Sequence, residues 1–372
     1  MEKISGNGMQ EWPDSDRLKE ALSLAKFDDY YTMPGLKAAV TLPDLMANML
    51  EQKLNKTVVR PSVPKDMDGV HLLIADGHLR AAVNLTAELL TEINQGFGMA
   101  GQPSNNTEYS LKVWACRFQL LMALKLYTLL NDELIPFEEL DAPDLFYQYY
   151  PSLYSKSCKG SLVLFSMRLI HAEALRFTSN PWATLVRIDR LEKDVNKVLN
   201  NSVSRSEHFF EIWKDRLLAV QKMRARSLYF LKEYSTSMIL YNRLSKAVGL
   251  SSEQQTALKL MLMRMAVAIG DPKKLEYYSN EIITSVHDDQ ILHRHLCNNI
   301  AICLLYKGQV FDAMEMLKSL PGDPNEPVAI NFSTIAELSI PNVAHEDLAI
   351  FAQKFDRFPD MFDPITLKLM SS

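Results

Sequence analysis

Apolar residues recur at intervals of three and four through 110–130, 161–177, 182–199 and 207–231, and the pattern continues beyond. That spacing lines one face of a helix, because 3.6 residues complete a turn. No stretch alternates apolar and polar residues as a half-buried strand does, so the pattern predicts an all-α chain. Capping boxes place two helix starts, Ser204 with Glu207 and Ser252 with Gln255. Asn180-Pro181, Gly270-Asp271-Pro272 and Gly308 place turns between helices. Residues 1–65 read differently. Pro13, Pro34, Pro43, Pro61 and Pro64 cut them into short pieces, with helical fragments expected near 16–26 and 43–54. The expected organisation is a partly ordered N-terminal extension over 1–65 and a helical array over 66–372.

The stretch NNIAICLLYKGQVFDAMEML, residues 298–317, spaces its smallest side chains in a telling way. Ala301 sits where a second helix must cross closely, Leu304 fills the bulky position one turn later, and Gly308 makes the turn. Ala313 faces back from the second helix, and Leu317 and Leu320 continue its buried stripe. This is the schedule of a tetratricopeptide repeat, two antiparallel helices in about 34 residues. Ala225, Leu228, Lys232, Ser237, Tyr241 and Leu244 fill the same slots, as do Met263, Ala266, Gly270, Leu275, Ser279 and Ile282. The copies lie 38 residues apart both times, which fits longer helices or loops. Gly77, Leu79, Ala82, Thr86 and Leu89 form a weaker copy of the second half. The best repeats are expected at about 218–251, 256–289 and 294–327, within an α-solenoid, since such hairpins bury enough apolar surface only when stacked.

Composition leaves this picture intact. Hydrophobic residues at 47% and charged residues at 23% are ordinary for a folded soluble domain, and a net charge of −5 gives no reason to expect nucleic-acid binding. Cys116, Cys158, Cys297 and Cys303 form no CxxC pair and sit beside apolar residues, as buried reduced thiols in a reducing compartment do. The segment MEKISGNGMQ lacks the apolar run of a secretory signal, and LKLMLMRMAVAIG is too short to span a bilayer. The chain is therefore expected to be cytoplasmic, with no direct membrane insertion.

Several motifs suggest chemistry and do not carry it. Gly96-Phe97-Gly98-Met99-Ala100-Gly101 matches GxGxxG, but a helix precedes it and a polar stretch follows, so a flexible interhelical loop is expected. His293 and Cys297 share a helical face while His295 points away, which leaves a zinc site short of ligands. Asn299 is expected to bond backbone between helices. Lys214, Arg216, Lys222, Arg224 and Arg226 form a basic run interrupted by Asp215, read as a solvated helix face or interface rim. Tyr147, Tyr149 and Tyr150 in DLFYQYYP are either core or a partner-contact surface. No catalytic, cofactor or metal residues are expected.

Four segments carry a resemblance: RAAVNLTAELL (80–90), DAPDLFYQYYP (141–151), SLVLFSMRLIHAE (161–173) and NNIAICLLYKGQ (298–309). Together they resemble the tetratricopeptide-repeat subunit family of the TRAPP (trafficking protein particle) complex, its twelfth subunit, over roughly 66–372. DLFYQYYP and FSMRLIHAE lie outside the generic repeat and are the specific part. The resemblance implies a non-catalytic subunit of the TRAPP III vesicle-tethering complex, acting in endoplasmic reticulum to Golgi transport at the intermediate compartment and Golgi membranes. It implies the eighth, eleventh and thirteenth subunits as partners. A Rab GTPase is reached only indirectly, because nucleotide exchange belongs to the core subunits. Family members are also linked to autophagy and to kinetochore assembly. Longer members carry an extended polar N-terminal region where this chain has residues 1–65, and a repeat is expected to be missing just before Asn298, around Val286 to Leu296. The alternative function is a free-standing tetratricopeptide adaptor for a partner helix or linear peptide.

Overall fold

The computed structural model describes residues 11–39, 41–54, 57–155, 158–201, 206–247, 249–283, 290–321, 325–338, 360 and 363. Among the described residues the chain is all-α: fifteen α-helices, no β-strand and two isolated β-bridges. The helices pack consecutively, as expected of an α-solenoid class. They group into two compact units, one of residues 1–43 and 61–231, the other of residues 44–60 and 232–372. The sequence boundary between residues 65 and 66 is not where the division falls. Residues on both sides of Pro43 bury apolar side chains, and each piece counts with the unit whose core it enters.

In the first unit, α1 (Asp16–Ser23) is capped by Ser15, whose hydroxyl accepts from the backbone N–H of Leu18. The pair α3 (Met67–Ala75) and α4 (Leu79–Glu92) packs together, and α4 packs on α5 (Glu108–Ala123). The periodic run 110–130 is not one helix. It breaks at Lys125, which adopts a left-handed φ of 61°, and resumes as α6 (Tyr127–Leu134). Three single 3₁₀ turns follow at 135–137, 143–145 and 147–149. Then come α7 (Phe165–Ala174), α8 (Ala183–Asn200) and α9 (Glu207–Phe230), with α7 and α8 both packed on α9. Ser206 caps α9; the expected cap Ser204 lies outside the described residues. Trp114, Phe118 and Phe137 are buried at the centre of this unit's main core, with ring centroids 5.3 to 5.8 Å apart.

The second unit holds α2 (Leu45–Leu54), α10 (Tyr234–Ser245), α11 (Ser252–Ile269), α12 (Pro272–Ile283), α13 (Gln290–Tyr306), α14 (Val310–Lys318) and α15 (Glu326–Glu337). Here α11 packs on α10, α12 and α13, and α13 packs on α14 and α15. The capping box of α11 is Ser251 with Gln254, one residue earlier than expected. Met46 of α2 is buried in one cluster with Ala301, Leu317 and Phe332. The unit boundary between Leu231 and Lys232 runs through the first expected repeat, 218–251. The second, 256–289, ends in residues outside the described set, as do 286–289 of the passage where a repeat is expected to be missing.

Candidate functional site

The repeat slots come first. Ala225, Ala266, Ala301 and Ala313 are at most 1% exposed, and Tyr241 and Leu317 are buried as well. Leu304, expected as a bulky core position, is half-buried. The turn slot is the most uniform feature: Lys232, Gly270 and Gly308 all have left-handed φ, at 68°, 76° and 79°. Gly270 and Gly308 close α11 and α13 in the same way. The N–H of the following residue, Asp271 or Gln309, reaches back to the carbonyl of Ala266 or Leu304 at 2.9 Å, satisfying a carbonyl the helix end would otherwise orphan. Gly77 and Lys125 make the same closure earlier, through His78 to Leu73 and Leu126 to Leu121. The turn at Lys125 was not legible, because lysine gives no local sign of a left-handed residue.

The two family-specific segments meet in a body that is not a repeat. Leu145 carbonyl accepts from the Leu162 N–H at 2.9 Å, and the Tyr147 N–H donates to the Gly160 carbonyl at 3.2 Å, so DLFYQYYP pairs antiparallel with the run entering α7. From α7, Arg168 donates to Ser161 Oγ at 2.6 Å and to the Leu140 carbonyl at 3.4 Å, and His171 Nε2 lies 2.7 Å from the Glu138 carbonyl. Both side chains are buried. Burial pushes His171 down to about 3, aided by Arg187, so it is neutral and Nε2 carries the donated proton. Burial likewise pushes Arg168 down to about 9, which leaves it charged at neutral pH.

Tyr147 and Tyr149 lie in the core of this body, and Tyr150 packs against it. Tyr147 and Tyr149 are buried and Tyr150 half-buried. Tyr149 donates to the Asp29 carbonyl at 2.6 Å and Tyr150 to the Asp144 carbonyl at 3.0 Å, while Tyr154 and Tyr31 meet them edge to face. Burial raises the phenols of all three.

Residues 11–36 run over this body as a strap, which sequence reading treated as partly ordered. Ser15 donates to the Asp141 carbonyl at 2.6 Å, Gln148 donates to Asp14 at 2.8 Å, and Arg17 pairs with Glu138 and Asp141. Trp12 lies over the Arg168 guanidinium at 3.9 Å. The GxGxxG loop, expected to be flexible, anchors the far end. Leu36 N–H bonds the Gln95 and Gly96 carbonyls, and Gly101 N–H bonds the Met33 carbonyl at 3.0 Å. Gly35 is required here, because a Cβ on it would stand 2.2 Å from the Ala100 backbone nitrogen.

Other expectations change for physical reasons. Three arginines of the basic run on α9 are engaged by neighbouring side chains, while Lys214 is exposed. Arg216 is buried over Trp213 and Phe165, Arg224 bonds Asp189 and Glu192 of α8, and Arg226 bonds Glu173 of α7. Among the described residues the Asn299 Nδ2 finds no partner. Its neighbour Asn298 does, accepting from Asn331 of α15 at 2.8 Å. His293 Nε2 and Cys297 Sγ lie 3.5 Å apart, and no group of three or more metal-ligating side chains occurs among the described residues. Burial raises Cys116 to about 11 and also raises Cys297 and Cys303, which makes each a poor nucleophile.

Fold and site together define an all-α helical-repeat protein with an aromatic, arginine-bearing body built into its first unit. The chain is similar to trafficking protein particle complex subunit 12 of Mus musculus, 29% identical over 400 residues that cover 91% of this chain and 50% of that protein. It is similar to the Homo sapiens protein of the same name, also 29% identical over 400 residues, covering 91% of this chain and 54% of that protein. The resemblance carried by the four sequence segments therefore holds. The chain spans about half the length of the curated relatives it matches. No family model matches it.

Proposed function

We propose that the chain is a non-catalytic scaffold subunit of a trafficking protein particle complex. The observation that carries this reading is the similarity to subunit 12, which extends over 91% of the chain. The packing supports it. Glu173 of α7 pairs with Arg226 of α9 and Glu192 of α8 with Arg224 of α9, and in the aromatic body Tyr149, Tyr150 and His171 bond backbone carbonyls, which suits a rigid surface. In the finer form of the proposal the complex is TRAPP III, and this subunit builds its arms with the eighth, eleventh and thirteenth subunits. A Rab GTPase is met only through the core subunits, and the setting is endoplasmic reticulum to Golgi transport, with autophagy as a linked role. The expected location is cytoplasmic, peripheral to the intermediate compartment and Golgi membranes. No helix among the described residues is long and apolar enough to cross a membrane. A free-standing peptide adaptor is disfavoured, because the apolar residues of α11, Leu260, Leu262, Met263 and Met265, are buried within their own unit.

The test is capture of the tagged chain from cytosol, paired with a nucleotide-release assay on a Rab GTPase. The expected result is co-purification of other subunits of the complex, release stimulated by the captured assembly, and none by the chain alone. Recovery of a free monomer, or stimulation by the isolated chain, would contradict the proposal.

A further inference from the structure

Two guanidiniums of the first unit share one carboxylate. Arg226 of α9 grips Glu173 of α7 through both carboxylate oxygens, its Nε donating to Oε1 at 3.0 Å. Arg176, three residues after Glu173, reaches the same Oε1 through Nη2 at 2.9 Å. Its Nε and Nη1 are buried and have no acceptor among the described residues, in a side chain only 10% exposed. Burial and the nearby Arg226 disfavour the charge on Arg176, while Glu173 supports it. The cation is held by stacking instead. Its centre lies 3.8 Å from the Phe230 ring centroid and 4.4 Å from that of Phe177, which in turn stacks on Tyr127 at 3.5 Å. Tyr127 and Phe177 are half-buried; Phe230, the last residue of α9, is 51% exposed, so the stack opens to solvent there. A ring face attracts the charge but leaves in-plane N–H donors unpaired, and a buried unpaired donor is costly.

We propose that Arg176 and Arg226 form a binding site for an oxyanion, a carboxylate or a phosphoryl group, which enters beside Phe230 and accepts from the free donors of Arg176. The donor set selects this chemistry. A guanidinium has donors only, so an acceptor is what completes it. One carboxylate serves two guanidiniums, which leaves one positive charge of the pair uncompensated and favours an anionic acceptor over a neutral one. The stack of Tyr127, Phe177 and Arg176 fixes the guanidinium plane, so its donors are ordered before a ligand arrives. Phe230 is the movable part: its exposed ring, at a helix end, turns aside by side-chain rotation and displaces no buried residue. The inference does not depend on the chain's membership of a trafficking complex.

The experiment titrates sodium phosphate and sodium acetate, in separate arms, into the full chain at constant pH and ionic strength, with chloride as the balancing anion and melting temperature as the readout. An anion bound by the folded state alone raises the melting temperature along a saturation curve. Half-saturation is expected at about millimolar anion, the strength that a few charge-assisted hydrogen bonds give. Arg176→Met is expected to weaken that response at least about tenfold, the worth of one such bond. The general strengthening of burial by phosphate persists in the variant and cancels in the comparison. Should Arg176→Met fail to fold, Arg176→Lys keeps the charge but removes the Nε donor, and is expected to weaken the response at least about threefold. A tighter phosphate arm assigns the site to a phosphoryl group, and an acetate arm as tight or tighter assigns it to a carboxylate. No saturable response of the wild-type chain up to about 50 mM of either anion would overturn the proposal. So would an undiminished response in a folded Arg176 variant.

Discussion

Asp144 Oδ2 accepts both the backbone N–H of Thr32 at 2.7 Å and its hydroxyl at 2.8 Å, across 112 residues of sequence. The Tyr31 N–H adds a third bond at 3.3 Å, and the Asn106 amide donates to the Thr32 hydroxyl. One carboxylate oxygen thus fixes the middle of the strap to the aromatic body, in surroundings where Thr32, Asn106 and Asp144 are all buried. Asp144→Ala orphans buried donors and is expected to cost about 2–4 kcal/mol. Urea denaturation measures this, and an unchanged midpoint would show that the strap is not held here.

The same carboxylate has a pH signature. Burial holds Asp144 above the ordinary carboxylate range, against the opposing pull of its donors. A raised folded pKa means that the folded state binds the proton more tightly than the unfolded one. This contribution to stability is therefore fully present below the ordinary carboxylate pKa and is lost as pH rises through the raised value. Asp144→Asn, which cannot titrate, is expected to remove that decline from the stability profile.

His171 carries the opposite sign. Its folded pKa is depressed from 6.5 to about 3, so the stability it contributes is present above the ordinary histidine value and is lost as pH falls through the interval. The limiting slope is about 1.4 kcal/mol per pH unit, giving about 2 kcal/mol between pH 6.5 and 5. His171→Gln keeps a donor for the Glu138 carbonyl and is expected to flatten this acid limb. Denaturation midpoints of both variants across pH 4–8 separate the two groups, because their slopes differ in sign.

Arg117 of α5 and Glu133 of α6 form a buried bidentate pair at 2.7 and 2.9 Å, and Arg117 also donates to the Val83 carbonyl of α4 at 3.1 Å. Removing one partner leaves a buried charge, so Arg117→Met or Glu133→Leu alone is expected to cost about 3–5 kcal/mol. The double substitution is expected to recover most of that loss. Thermal melts of the two single variants and the double variant close the cycle; simple additivity of the losses would contradict the coupling.

The left-handed turn slot makes a paired prediction. Gly308→Ala meets no atom within 4 Å of its new Cβ, so only backbone strain opposes it, at about 1 kcal/mol. Lys125→Gly relieves the same strain and is expected to stabilise by about 0.5 kcal/mol after the entropy of the added glycine is counted. Ala301→Leu, at a fully buried small slot, is expected to cost about 1–3 kcal/mol by overpacking. Shifts in melting temperature read all three.

What the sequence disclosed was local. Helices announced themselves through the 3.6-residue period, and Gly270 and Gly308 marked their turns because glycine is the residue that accepts a left-handed φ cheaply. Lys125 hid its turn, so 110–130 read as one helix. The division at Leu231 was invisible because periodicity records which face of a helix is buried and not which neighbour covers it. The same limit explains α9: Arg224 and Arg226 looked like a solvated face until Glu192 and Glu173 arrived from α8 and α7. The aromatic body was least legible of all. Its tyrosines stood out as a cluster, but the hydrogen bonds from Thr32 to Asp144 and the stacking of Trp12 on Arg168 join residues with no shared period, and nothing local in residues 11–36 says where they dock.

Residues 11–36 forming one folded body with 138–155 and 158–163 is the claim on which the rest depends, and hydrogen exchange of the full chain followed by mass spectrometry measures it. Amides bonded across the two segments, those of Tyr31 and Thr32 to Asp144, are expected to exchange as slowly as those of α7 and to quicken together with it in Asp144→Ala. Rapid exchange throughout residues 11–36, with α7 still protected, would contradict it.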